Sequence, residues 1–379
     1  MERSTFPIYV KLSQIILGLI GFFFILYIGQ EILIPLTFAT LFSILLNPLV
    51  NRLERVGLNR VLAIALSLLL GLVGTAALFY FLSFQISHFA ETFPQLKEKF
   101  NVLLKQGVNW AADTFNVSTT KVNEWIDKKE KEGLANSTAM IGQTLTAVSS
   151  ILVLVFLLPV YMFMILFYKP LLLEFISQLF PSRRHKMVAE VLSETKLIIQ
   201  NYLVGLMVEM GIVAVMNASV LLLLGIPYAI LLGVIGALLN LIPYIGGLVA
   251  ISLPMIVALA TKSPLYVLLV FGAYLLVQFI DNNFLVPRIV ASKVKLNALA
   301  SIIVVLIGGT LWGIPGMFLA LPLTAIIKVI FDRIPDLQPY GFVLGDNLPP
   351  MGKTVFTFHK REEKPDKKEE KPEKKKKAA

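Results

Sequence analysis

The sequence predicts an all-α membrane protein, and three observations carry that expectation. Of 379 residues, 56% are hydrophobic and only 15% charged, against roughly 25% charged in a soluble domain. Several apolar runs reach the ~20 residues that cross a hydrocarbon core. The later runs are interrupted by carboxylates, carboxamides, glycines and prolines, which are costly in lipid unless buried in protein or lining a pathway. The expected architecture is about six full spans plus two broken or re-entrant helical hairpins forming an inverted repeat, with a small extracytoplasmic helical insertion.

Residues 1–88 hold the N-terminal spans. Arg3 and Lys11 precede an apolar run, 12–28, that has no small-residue cleavage site after it, so it reads as a retained span. A polar turn at 29–31 leads into a second span at 32–50, with Pro35 in its first turn, where a missing N–H does little harm. The segment NRLERVGLNR, 51–60, carries three arginines and one glutamate. The positive-inside rule puts it and the N-terminus in the cytoplasm. A third span, 61–86, then leads outside.

Residues 89–145 change to soluble, helical composition and read as an extracytoplasmic cap. Pro94 starts one predicted helix, and Ser118 or Thr119 caps a second at 122–132, which Gly133 ends. A span at 146–168 returns inside. Residues 169–200 are basic and amphipathic, with Pro181-Ser182-Arg183-Arg184 introducing a helix along the inner interface.

Residues 201–336 read as the transport core. A span at 201–224 is followed by a broken apolar segment, 228–260, and a span at 265–284 by another, 297–331. Each break sets glycines before a Leu-Pro pair: Gly246 and Gly247 before Leu253-Pro254, and Gly313 and Gly316 before Leu321-Pro322, with Gly309 a further pathway candidate. Flanking charges make the two spans run oppositely, the pattern of an inverted repeat whose broken helices meet near the midplane. Alternatively, the glycines only permit close helix packing. The tail, 337–379, is basic and expected to be disordered in the cytoplasm: its last 20 residues carry ten basic and six acidic side chains.

The polar residues inside this core are the candidate pathway. Gln278, Asp281 and Asn282 share a helix face, and Pro287 follows near the inner end. Glu209 and Asn217 lie on the preceding outward span, and Asn240 and Pro243 at the first break. A carboxylate at such depth is costly unless protonated or paired, so a functional role is the default reading. Two structural alternatives stand beside it: Asp281 as an interfacial carboxylate paired with Arg288, and Glu209 bound to a helix-break backbone.

Phe180-Pro181 with Arg183, Leu224-Gly225-Ile226-Pro227-Tyr228, Asn240-Leu241-Ile242-Pro243-Tyr244-Ile245-Gly246, Asp281-Asn282 with Pro287, and Gly308-Gly309…Gly313-Ile314-Pro315-Gly316-Met317…Ala320-Leu321-Pro322 resemble the autoinducer-2 exporter family, also described as PerM-type permeases. The resemblance covers nearly the whole chain, up to Gly345. Gly247 and Ala298 stand where the family often has proline, and both touch segments expected to line the substrate path. The resemblance implies a homo-oligomeric secondary transporter of the bacterial inner membrane, exporting a small polar solute such as autoinducer-2 in quorum sensing. Other members imply sodium or lithium/proton antiport, so H+ or Na+ is a candidate partner beside the bilayer.

Other classes fare worse. The run 345–354 places six residues between its glycines where a phosphate loop needs four. No Ser–His pair, paired aspartates or His-Glu-x-x-His helix is present, so no enzyme activity is expected. With no cysteine and three scattered histidines, His88, His185 and His359, neither a metal nor a cofactor is expected. The net charge of +10 sits in the tail and the inner loops, which argues against nucleic acid. A passive channel and an envelope scaffold remain as alternatives.

Overall fold

The computed structural model describes residues 7–115, 156–242, 246–291 and 296–346. Among them the chain is helical, with five helices long and apolar enough to cross a membrane, or six if one bent pair counts as a span. The second predicted cap helix (122–132), the start of the predicted span at 146, Pro243 and the charged end of the tail lie outside the described residues.

α1 (Ile8–Ile28) is apolar on all sides and shows Leu12, Leu17, Ile20 and Phe24 at its surface, as a helix facing lipid would. Gly29 joins it to α2 (Gln30–Arg55), where a Cβ would press on the Ile25 carbonyl. α2 packs through Ala39 and Val50 on Ala63, Ile64 and Leu68 of α3 (Arg60–Phe115) and on Met162 and Leu166 of α4 (Phe156–Phe167). Asn59 accepts from the Leu62 N–H and so caps α3.

Four expectations are corrected. α3 does not stop near residue 86: it runs unbroken through Pro94, so the first cap helix is an extension of the span. Phe89, on that extension, meets Tyr228 edge-on at 5.3 Å. Nor are the interfacial helix and the following span separate. After a 60° bend into α5 (Lys169–Gln178) and a 3-10 turn at Ser182–Arg184, one helix, α6 (His185–Leu223), covers both. The polar pair Gln200-Asn201 does not break it, because the Gln200 amide donates to the Ile44 carbonyl of α2 at 2.7 Å. The third correction lies past α9 (Pro264–Ile280), where the chain continues as a π-helix, Asp281–Ala291. The fourth concerns the tail, whose first part folds as α11 (Gln338–Leu344), held by Asn297 donating to the Val343 and Gly345 carbonyls.

Both broken segments are bent helix pairs. α7 (Ala229–Asn240) and α8 (Gly246–Thr261) are each too short to span, and they close tightly enough that a Cβ on Gly246 would overlap the Leu239 carbonyl. α10 (Ala298–Arg333) loses helical geometry at Trp312 and Gly313. Gly308 and Gly316, on either side of that break, then touch so closely that a Cβ on either would overlap the other's carbonyl. An unbroken helix would hold residues eight apart about 12 Å from each other, so α10 is a hairpin of two limbs. The Trp312 indole donates to the Leu26 carbonyl of α1.

The α7–α8 hairpin packs on α3, α6 and α9, whereas α10 packs chiefly on α1, α2, α6 and α11. Both pack on α6: Leu319 and Ala325 of α10 lie against Ile199, Tyr202 and Leu203, while α7 meets Asn217 and Ala218 and its Asn240 end reaches Asp281.

Candidate functional site

α6 buries one stripe, Tyr202, Gly205, Glu209, Val213, Asn217 and Leu221, at intervals of three and four residues. α9 buries Val270, Tyr274 and Val277 at the same intervals, with Asp281 continuing the row at the first position of the π-helix. α7 reaches α6 through glycines. A Cβ at Gly233 would lie 2.6 Å from the Ala218 backbone nitrogen, and one at Gly236 would lie 3.2 Å from Asn217 Nδ2 and 3.5 Å from Tyr274 Oη. Asn217 and Tyr274 therefore stand at one level and Glu209 and Asp281 at another, so α6 and α9 run antiparallel, as the charge pattern predicts.

Asp281 is 1% exposed. Its Oδ2 accepts from Asn240 Nδ2 of α7 at 2.8 Å, and its carboxyl lies within interaction reach of that of Glu209. Among the described residues Asp281 Oδ1 has no hydrogen-bond partner. The predicted alternative of an exposed Asp281 paired with Arg288 is thereby corrected: the carboxyl turns inward to Asn240 and Glu209, while Arg288 lies 5.9 Å over the Phe284 ring. Tyr202 lies within electrostatic reach of Glu209 along the same stripe.

Gln278 lies against the start of α8: a Cβ on Gly247 would come within 2.8 Å of its Oε1 and 3.6 Å of Asn240 Oδ1. Its amide donates to Asn282 Oδ1 at 3.2 Å. The π-helix also touches α6 directly, since a Cβ at Gly205 would lie 2.7 Å from the Ile289 carbonyl. Wide π turns are common where a helix bends around a functional group, and this one begins at Asp281.

Sequence reasoning thus selected a real cluster: Glu209, Asn240, Gly247, Gln278, Asp281 and Asn282 come together, and Asn217 lies two turns away along α6. Gly246 closes the α7–α8 hairpin. Pro287 sits exposed on the π-helix. Gly309, Gly313 and Gly316 belong to the α10 hairpin: Gly309 faces Met317, Gly316 faces Gly308, and Gly313 supplies a positive φ of 62° with open space around it. Tyr202, Tyr274, Gly205, Gly233 and Gly236 were missed. The two tyrosines each stand seven residues before a carboxylate, a spacing that could have revealed them. Among the described residues no group of three or more His, Asp or Glu could hold a metal ion.

Comparison with known proteins matches residues 15–336 to the AI-2E family transporter. The chain is 27% identical over 354 residues to the AI-2 transport protein TqsA of Escherichia coli (strain K12), covering 89% of this chain and 95% of TqsA. It is 27% identical over 308 residues to YrrI of Bacillus subtilis (strain 168), covering 79% and 86%. A shorter match of 30% over 196 residues reaches PerM of Escherichia coli (strain K12), covering 52% of this chain and 55% of PerM.

Proposed function

The chain belongs to the AI-2E transporter family, and on that premise we propose that it is a secondary transporter exporting a small polar solute such as autoinducer-2 across a bacterial inner membrane. The observation that carries this reading is the buried Glu209–Asp281 pair. With one proton between them the carboxyls bond; without it, two like charges would face each other away from water, which is unfavourable by several kcal/mol. Proton loss and helix rearrangement are then linked. Asn240 ties the pair to the α7–α8 hairpin, so the hairpin feels the charge state. The name of TqsA supports autoinducer-2 as the solute.

The antiparallel α6 and α9, each followed by a bent helix pair, support the inverted repeat, with residues 201–336 as the transport core. The basic segments support cytoplasmic termini and an outer position for residues 89–145. A cysteine placed at Ser182 then labels from the cytoplasmic face alone, and labelling from outside would reverse this orientation. Homo-oligomeric assembly rests on the resemblance alone.

A second reading is sodium or lithium/proton antiport. It is favoured by the oxygens of Glu209, Asp281 and Asn240, which after proton loss would suit a hard cation. Sealed proteoliposomes with an imposed proton or sodium gradient test both readings. The expected result is uphill autoinducer-2 accumulation that Glu209→Gln and Asp281→Asn abolish while solute exchange persists. Uphill transport by the double amide variant at the unmodified rate would remove the pair from the coupling mechanism; sodium movement without solute would select the antiporter.

A further inference from the structure

Two turns from the carboxyl pair, toward the Leu223 end of α6, stand two buried polar side chains whose oxygens find no partner among the described residues. Asn217 is 3% exposed and Tyr274 6%, and the oxygens concerned are Asn217 Oδ1 and Tyr274 Oη. They come from different helices and flank one position on a third, Gly236 of α7. An unmet hydrogen bond on a buried group is destabilising, and lipid cannot satisfy it. Two such side chains beside one glycine, Asn217 through its Nδ2 and Tyr274 through its Oη, are a costly arrangement for a structural seam, where Phe and Leu would serve.

We propose that Asn217, Tyr274 and the gap at Gly236 form a station for a hydroxyl of a small neutral polyol, which the transported solute occupies before or after the carboxyl pair. The chemistry selects this class. Asn217 Oδ1 needs a donor, and Tyr274 Oη both accepts and donates. A hydroxyl answers both at once. A bare cation would find only neutral oxygens here, since among the described residues no carboxylate lies at this level to balance its charge: Glu209 is about 12 Å away along α6 and Asp281 about 10 Å along α9. The third oxygen without a donor, Asp281 Oδ1, lies on the same α6–α9 seam, so a hydroxyl-bearing solute leaving one station finds acceptors at the next. Gly236 keeps the station open. A methyl there would sit 3.2 Å from Asn217 Nδ2, 3.5 Å from Tyr274 Oη and 3.7 Å from Ala250 Cβ, close enough to fill the gap without striking backbone.

This station presupposes the transport reading above but not its coupling by carboxylates, and one assay separates them. Erythritol, a four-carbon polyol, is the probe, its counterflow measured in proteoliposomes without an imposed ion gradient. Gly236→Ala and Tyr274→Phe are each expected to slow counterflow roughly tenfold or more, the scale of one lost hydrogen bond to a solute. The melting temperature of Gly236→Ala should stay level and that of Tyr274→Phe should rise, because the deleted hydroxyl bonds nothing among the described residues. A purely structural seam predicts the same stability gain with counterflow unchanged, and that result overturns the station. Wild-type vesicles that pass water but no erythritol overturn the polyol class. Gradient-driven uptake by the unmodified protein reports the coupling reading separately: its absence beside intact erythritol counterflow overturns the coupling and leaves the station standing.

Discussion

The two bent helix pairs read alike in sequence, glycines followed by Leu-Pro inside apolar runs, yet their glycines face different things. On the α7–α8 side, Gly236 opens toward Asn217 and Tyr274, and Gly247 toward Gln278 and Asn240. On the α10 side, Gly308 and Gly316 face each other and Gly309 faces Met317. The prolines are equivalent: Pro254 and Pro322 are both fully buried within helices. In one pair the missing side chains leave room for polar groups; in the other they let the chain fold back on itself. A glycine in a membrane helix is thus ambiguous between access and closure, and what faces it decides.

Leucine substitution separates the two roles most sharply. Gly316→Leu puts a side chain where a Cβ alone would overlap the Gly308 carbonyl. Backbone on both sides cannot yield, so the α10 hairpin should open and the protein fail to be recovered as a monodisperse species in gel filtration. Gly247→Leu meets chiefly the Gln278 amide, the far end of a flexible side chain. It should insert and purify normally while losing most solute transport. If both variants purify normally and both lose transport, the α10 glycines also line the path and the contrast fails.

The carboxylates were legible in the sequence because charge inside apolar sequence admits few explanations. That Glu209 meets Asp281 was not, since only the folding of α7 against both α6 and α9 brings them together. Asn240 was legible as a polar interruption, but its donation to Asp281 depends on the packing of Gly233 against Ala218, a contact between residues that look ordinary. The continuity of α6 was missed because Gln200-Asn201 reads as an interface, and its amide finds a carbonyl only once α2 is in place. The π-helix leaves no periodic signature in so short a run. The opposed directions of α6 and α9 were legible in the flanking charges, since the two helices are antiparallel.

Alanine at single positions gives the smallest and most discriminating effect. Gly313 has φ 62° and ψ −142°, a region open essentially to glycine, with nothing near its Cβ. Gly313→Ala should therefore cost about 1–3 kcal/mol of stability through backbone strain alone. Asparagine should not rescue it, because asparagine tolerates the left-handed helical region and not this one. Transport per folded molecule should be unchanged. Gly247→Ala should do the reverse: its Cβ displaces only the end of Gln278, so the melting temperature holds while solute transport falls. Measuring thermal stability and proteoliposome transport on the two variants gives a double dissociation. If Gly313→Ala slows transport per folded molecule as much as Gly247→Ala does, the tip of the α10 hairpin belongs to the pathway, and closure and access are one role instead of two.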